Sequence, residues 1–362
     1  EIKKRDHILH FPYQSFRYYI DMLREAAIDP RVETIQITLY RVAKKSMVIN
    51  SLINAARNGK NVVVVIELQA RFDEEANIYW SNRLQEVGAK VIHGIPGLKV
   101  HSKLTLISRR INRRLEHFAY IGTGNFQEET ARIYCDEGLF TFDKRITEDV
   151  VKVFEFFEKN YKQHIFNHII LSPFSTRQHF TYHIDHEIKN ARQGKKALMI
   201  IKMNSLVDEQ MMEKLYEASQ AGVKIKLIIR GICSLKPGVP GLSENIEAIS
   251  IVDKFLEHSR IFYFYHGGNE KVYISSADWM VRNLDRRIEV TCPVYDPEIK
   301  RELKQMLKIQ LKDNVKSRLI DDIQDNKYVN DNRKAVRAQD AYYHYLKRRK
   351  RQIDAKNRNR KS

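Results

Sequence analysis

Nowhere in the 362 residues does an uninterrupted apolar run exceed the five residues 62–66, against the ~20 that a membrane-spanning helix needs. Residues 1–20 lack the apolar stretch of a secretory signal. Cysteine is scarce: Cys135, Cys233 and Cys292 stand far apart with no CxxC spacing, which excludes a disulfide framework or a cysteine-based zinc site. Neither GxxxxGK[ST] nor GxGxxG occurs, so the chain has no P-loop and no dinucleotide-binding fingerprint. These absences leave a soluble, cytoplasmic protein as the expectation. With 43% hydrophobic residues there is material for a sizeable core, and the length suggests about two domains.

What the chain has in excess is positive charge. Lys and Arg number 63 against 45 Asp and Glu, a net charge of +18. That balance favours a polyanionic or phosphate-rich partner. Half of it sits in residues 331–362, where twelve Lys/Arg face three Asp. Like-charge blocks of this kind are ordinarily solvated or frayed, so residues 326–362 are expected to form a basic C-terminal tail.

An internal repeat organises the rest. At an offset of 163, Val48, Leu52 and Ala55 fall on Met211, Leu215 and Ala218, the stripe of a buried helix face. Gly59 falls on Gly222, each where a helix would be closed by a C-cap glycine. Strand-like runs flank both helices: 34–40 and 61–68 in the first copy, 197–203 and 223–230 in the second. Further on the offset becomes 157 and pairs Lys99–Ile107 with Leu256–Phe264, each followed by a strand and a polar turn (120–126 and 273–279). Strands alternating with helices predict an α/β fold of two duplicated domains, residues 1–170 and 171–325, with mostly parallel mixed sheets flanked by helices.

His101-Ser-Lys103 and His258-Ser-Arg260 occupy equivalent places in that repeat. On a strand, residues i and i+2 share a face, so each motif is expected to project an imidazole beside a cation. Two such pairs facing each other suit phosphoryl chemistry: a neutral imidazole attacks phosphorus while cations hold the anionic oxygens. One HxK is a weak signal in so basic a chain. Two at matching positions are a strong one. Arg41, Arg71 and Arg230 each follow a predicted strand, at the sheet ends where α/β proteins bind ligands. The turn Gly122-Thr-Gly-Asn125 offers backbone N–H groups that an anion would accept. His164/His168 and His183/His186 have metal-ligand spacing, but no cysteine or glutamate pattern completes a zinc set.

At these residues the sequence resembles the phospholipase D superfamily, whose hallmark is a duplicated HxK motif. Where that superfamily usually carries an Asp five positions after the Lys, Ser108 and Tyr265 stand here, and Arg260 replaces the second Lys. Those departures match a divergent branch, the catalytic C-terminal half of bacterial polyphosphate kinases of the first type. The resemblance spans about residues 10–297 and is carried by HFPYQSF (10–16), ITLYR (37–41), ELQARFDEE (67–75), KVHSKL (99–104), GTGNF (122–126), ARIYCDEGLFT (131–141), IIRGICSLKPGVPGLSENI (228–246) and EHSRIFYF (257–264).

The resemblance implies reversible transfer of the terminal phosphate of ATP to inorganic polyphosphate through a phosphohistidine. By position it makes His101 the phosphorylated residue and His258 its partner, contacting ATP and assisting proton transfer. Tyr134 and Arg230 fall on nucleotide-contacting positions, with Lys103 and Arg260 beside them. Arg41 and Arg71 fall on positions associated with Mg²⁺. A guanidinium has no lone pair to give a metal, so both arginines are expected to hold phosphate oxygens that the ion also touches. ATP/ADP, polyphosphate and a homo-oligomeric full-length protein are the implied partners; no nucleic acid and no membrane span are expected. The chain starts at Glu1 where the family has already completed an N-terminal and a head domain, so it is expected to be a fragment that keeps the phosphohistidine site with weak or no turnover. The same histidines would serve a phosphodiesterase or nuclease without ATP, and charge alone would serve a nucleic-acid-binding module. Loss of function on removing His101 separates the enzymes from the module.

Overall fold

The computed structural model describes residues 3–68 and 74–359, with side chains to Ala355. The first half runs β1 (His7–Phe11), α1 (Arg17–Ile28), β2 (Val32–Leu39), α2 (Met47–Arg57), β3 (Asn61–Ile66), α3 (Glu74–Glu86), β4 (Lys90–Ile92), β5 (Lys99–Val100), β6 (Leu104–Ile111), β7 (Arg114–Gly122), β8 (Tyr134–Thr141) and α4 (Lys144–Glu158). The second runs β9 (Ile170–Ser172), α5 (Thr176–Arg192), β10 (Leu198–Met203), α6 (Glu209–Gln220), β11 (Lys224–Ile229), β12 (Ile246–Ile251), β13 (Leu256–Glu257), β14 (Arg260–Phe264), β15 (Lys271–Ser275), α7 (Val281–Asp285), β16 (Arg287–Pro293), α8 (Pro297–Gln310), β17 (Ser317–Ile320) and α9 (Ala338–Asn359).

Local chemistry explains the repeated units. Ser46 caps α2 by accepting from the Ile49 N–H, and Asp208 does the same for α6 at Met211, satisfying donors that a helix start leaves orphaned. Gly59 and Gly222 close the two helices at φ +76° and +92°. The next N–H in each case reaches back to Ala55 and to Ala218 at 3.0 Å, the expected C-cap. The helix stripes Val48/Leu52/Ala55 and Met211/Leu215/Ala218 are buried.

Two mixed sheets result. One is ordered β1-β8-β7-β6-β2-β3-β4, the other β17-β12-β11-β10-β14-β15-β16-β5. The duplicated α/β architecture is as expected, but the expected parallel majority is not. Among the described residues antiparallel pairings outnumber parallel ones. The reason is local: after each histidine motif the chain folds back as a hairpin (β6–β7, β14–β15) instead of crossing over through a helix. Register also corrects the repeat by one residue. Thr34 pairs with Asn61 as Leu198 pairs with Lys224, so Thr34 answers Leu198, one residue beyond the sequence match, and Tyr40 answers Asn204.

The halves exchange short strands. β5 of the first pairs in parallel with β16 of the second, and β13 of the second with β8 of the first. One apolar cluster lies under α1, α2 and α3 and a second under α5 and α6, while a third, built from both sheets together with α4 and α8, joins the halves. The basic segment is not a loose tail. Ala338, Gln339 and Tyr342 are buried, and Tyr342 belongs to the shared cluster. The repulsion that predicted fraying is avoided because Lys347, Arg348, Lys350 and Arg351 are exposed to solvent. No helix among the described residues is long and apolar enough to cross a membrane, and the three cysteines are free thiols.

Candidate active site

Each histidine motif directly follows one of the exchanged strands. The N–H groups of His101 and Ser102 both donate to the Ile288 carbonyl at 2.9 Å, and those of His258 and Ser259 to the Cys135 carbonyl at 3.2 and 2.8 Å. Two donors on one acceptor break the ladder, so His101–Lys103 lies between β5 and β6 and not within a strand as expected. In both motifs the cation turns back on its own chain: Lys103 Nζ donates to the His101 carbonyl, and Arg260 Nη1 to that of His258.

The other half supplies a carboxylate to each imidazole. His101 Nδ1 lies 2.8 and 2.9 Å from the Glu289 oxygens, and His258 Nδ1 lies 2.8 Å from both oxygens of Asp136. The arrangement repeats one step further out. Thr123 donates to Asp136 at 2.6 Å, and Ser276 donates to Glu289, to which Asn283 also donates at 2.6 Å. Gly124 has to be glycine, because a Cβ there would lie 2.1 Å from Asp136 Oδ2.

A carboxylate on Nδ1 holds the ring proton there and leaves Nε2 with its lone pair. Here the two histidines differ. His258 Nε2 sits 3.1 Å from Arg260 Nη1, which Asp278 fixes through Nε and Nη2 at 3.2 and 3.0 Å. Among the described residues no protein hydrogen bond is recorded at Nε2 of His101. Burial pushes the His101 imidazole down to about 3, with Glu289 opposing and Lys103 adding to the shift. His258 is lowered too, chiefly by burial. Burial brings Lys103 down to about 7. Burial pushes the Glu289 and Asp136 carboxyls up, but the imidazoles and cations they face outweigh it and hold both below the ordinary value. Lys103 interacts electrostatically with Glu289, Arg260, Asp136 and His258, so the two motifs form one site.

The other expected residues fall as follows. The Tyr134 ring meets His258 edge-on at 5.1 Å between centroids. Arg230, half-buried, donates to Asn204 Oδ1 at 2.8 Å and to the Glu257 carbonyl at 3.2 Å, beside His258. The Arg41 guanidinium lies 6.0 Å from the Tyr40 ring centroid, and that ring meets His101 edge-on at 4.7 Å. Arg71 lies outside the described residues. The Gly122–Asn125 turn serves Asp136 through Thr123. Sequence reasoning missed Glu289, Asp136, Thr123, Ser276, Asn283, Asp278 and Tyr40. A signal existed: at an offset of 153, Asp136 falls on Glu289 and Thr123 on Ser276, a carboxylate inside an apolar strand each time.

The residues do not fit a resident Mg²⁺. Arg41 cannot ligate a metal, and among the described residues no group of three or more His, Cys, Asp or Glu is arranged to hold one.

Comparison with known proteins follows this geometry. Residues 1–163 match the family described as polyphosphate kinase C-terminal domain 1, and residues 169–339 match polyphosphate kinase C-terminal domain 2. The chain is 53% identical over 347 residues to the polyphosphate kinase of Vibrio parahaemolyticus, covering 96% of this chain and 50% of that one. Against the polyphosphate kinase of Escherichia coli K12 the identity is 50%, with the same coverage. It thus spans about half the length of the curated relatives it matches. The crystal structure of polyphosphate kinase from Porphyromonas gingivalis superposes with a TM-score of 0.91 at 44% identity, covering 97% of this chain and 54% of that one. Phosphatidylserine synthase of Haemophilus influenzae shares the fold alone, with a TM-score of 0.56 at 10% identity over 97% of this chain and 94% of that one. The duplicated α/β architecture expected from the internal repeat is the one shared with the Porphyromonas gingivalis polyphosphate kinase.

Proposed function

Because the chain belongs to the polyphosphate kinase family, as the C-terminal half of the proteins it matches, we propose that it carries their phosphotransfer centre. The reaction is reversible movement of the terminal phosphate of ATP onto inorganic polyphosphate, in the cytoplasm, with residues 1–170 and 171–325 acting as one catalytic unit. The observation that carries this reading is the asymmetric pair of imidazoles. Both are oriented by carboxylates from the opposite half, and only His101 is without a recorded protein partner at Nε2.

His101 Nε2 attacks the terminal phosphorus of ATP. The N–P bond forms as the P–O bond to ADP breaks, and ADP leaves with the electron pair. Glu289 supports the ring as it becomes positive. The entering anion raises the lowered affinity of Lys103 for its proton, so that Lys103 and the guanidinium groups meet the equatorial oxygens as charged donors. A terminal oxygen of polyphosphate then attacks the phosphohistidine, and the N–P electron pair returns to Nε2. His258, its Nε2 engaged by Arg260, takes the supporting role at the nucleotide beside Tyr134 and Arg230. Magnesium enters as part of the substrate, on the nucleotide phosphates, as this hard ion usually does. Arg41 and Arg71 are assigned to those phosphates, and a homo-oligomer to the full-length protein.

The test is incubation with γ-³²P-ATP and magnesium. The expected result is base-stable, acid-labile label on the protein, absent in His101→Ala and retained in a variant of an exposed residue such as Gln352→Ala. Label that persists in folded His101→Ala would assign the chemistry elsewhere. Hydrolysis of a model phosphodiester without label would replace the kinase reading.

A further inference from the structure

Glu257 immediately precedes His258 and is buried. Three elements converge on its carboxylate. Lys202 of β10 and Gln310 of α8 each donate to Oε2 at 2.8 Å, and Gln339 of α9 donates to Oε1 at 2.9 Å. Lys202 also donates to the Ser259 hydroxyl at 2.7 Å, on the other side of His258. The Gln339 amide in addition grips the backbone two residues upstream, accepting from the Phe255 N–H at 3.0 Å and donating to its carbonyl at 2.9 Å. Arg337 pairs with Asp253. The Tyr342 ring meets that of Tyr13 edge-on, and Tyr13 meets Phe255 in the same way. The segment leading into His258 is therefore held at alternate residues by the start of the C-terminal helix.

Among the described residues the first half shows no counterpart of the cluster of Glu257, Lys202, Gln310 and Gln339. Sheet register and helix alignment put Val100 opposite Glu257, Thr38 opposite Lys202 and Phe157 opposite Gln310. The strand leading into His101 is held instead by apolar packing of Val100 and by its N–H donating to Glu67 at 3.0 Å. A buried charged cluster is costly to desolvate and often no more stabilising than apolar packing of the same volume. Its presence under one histidine of a duplicated pair calls for a reason particular to that histidine.

We propose that Gln339 is a positioning residue for His258. Through Glu257 and the Phe255 backbone, the first turn of α9 sets where the second imidazole stands. The C-terminal helix is on this view part of the support of the phosphotransfer site. The inference rests on the reading of His258 as the partner imidazole, but its structural half can be tested apart from activity.

The test uses Gln339→Leu in the full chain. Long-range ¹H–¹⁵N spectra of histidine-labelled protein report each ring, with His101→Gln and His258→Gln providing assignments. Signals of the His258 ring are expected to shift or broaden while those of His101 stay. Where the wild type transfers phosphate, kcat is expected to fall about tenfold with the KM for polyphosphate unchanged. The paired exchange Gln339→Glu with Glu257→Gln, which restores an amide–carboxylate contact, is expected to recover part of the loss. Wild-type His258 signals in the folded variant would overturn the proposal. So would equal displacement of the His101 signals, which would mean general loosening. If Gln339→Leu does not fold, Arg337→Gln is read in the same spectra, with a smaller His258 shift expected and no shift counting against. A wild type that hydrolyses a model phosphodiester and takes no label from γ-³²P-ATP, while its His258 signals still respond to Gln339→Leu, would refute the kinase reading and leave the positioning intact.

Discussion

Which nitrogen of an imidazole attacks is decided by what holds the other one, and here that partner is a single carboxylate per ring. Glu289→Gln replaces an acceptor by a group that can also present an N–H to Nδ1, allowing the wrong tautomer. Phosphoenzyme formation is expected to fall by roughly 10² to 10⁴, by analogy with carboxylate-to-amide changes behind other catalytic histidines. Single-turnover labelling by rapid quench measures it. Asp136→Asn is expected to cost less in the same assay, because Arg260 still engages His258 at Nε2. At this scale the sequence was half legible. Equivalent histidines announce themselves through a repeat, and so do the two carboxylates at an offset of 153, but these lie 122 and 188 residues away from the rings they orient and only the exchange of strands assigns each to its ring.

Among the elements, the hairpin β6–β7 explains why the sheets are mixed, and it carries a local defect. Its two turn residues, Asn112 and Arg113, have φ of 48° and 65°. Asn tolerates the left-handed region, but Arg gives up about 1 kcal/mol there relative to glycine. Arg113→Gly is expected to raise stability by up to about 1 kcal/mol, visible as a higher denaturant midpoint, with phosphotransfer unchanged. Repeated strands and helices were readable because period-2 and period-3.6 apolar patterns survive duplication. The register of β2 against β10 was not, since β10 is apolar at all but one position and the alternation of β2 fits it equally well after a one-residue slip. Only pairing with β3 and β11 removes the ambiguity. The C-terminal helix was misjudged for a related reason: twelve cations outweigh a few buried contacts in any composition argument, yet Ala338, Gln339 and Tyr342 suffice to dock its first turns.

For the molecule as a whole, burying two imidazoles in the neutral form links folding to pH. His101 is lowered to about 3 in the folded protein from an ordinary value of 6.5. Between those values the unfolded chain binds a proton that the folded chain refuses, so stability falls as pH drops through that window. The depressed carboxyls of Glu289 and Asp136 act with the same sign at its acid end. Thermal melts from pH 7.5 to 4.5 are expected to show a steady loss below about pH 6.5. The slope is expected to be shallower in His101→Gln, where a proton-binding difference of up to one, about 1.4 kcal/mol per pH unit, has been removed. A slope unchanged in that variant would mean the ring is protonated in the folded state.

The sequence by itself determined the duplication, the α/β class, the family likeness and the two histidine–cation motifs, because those depend on residues near one another in the chain and on patterns that a second copy makes visible. Tertiary structure alone decided that each half completes the other's site. An imidazole and its carboxylate meet only when β5 and β13 cross to the opposite sheet, and no local propensity encodes a crossing. It also decided which histidine keeps an open nitrogen: both cations turn back on their own backbone, but Arg260, held by Asp278, in addition reaches Nε2 of its ring.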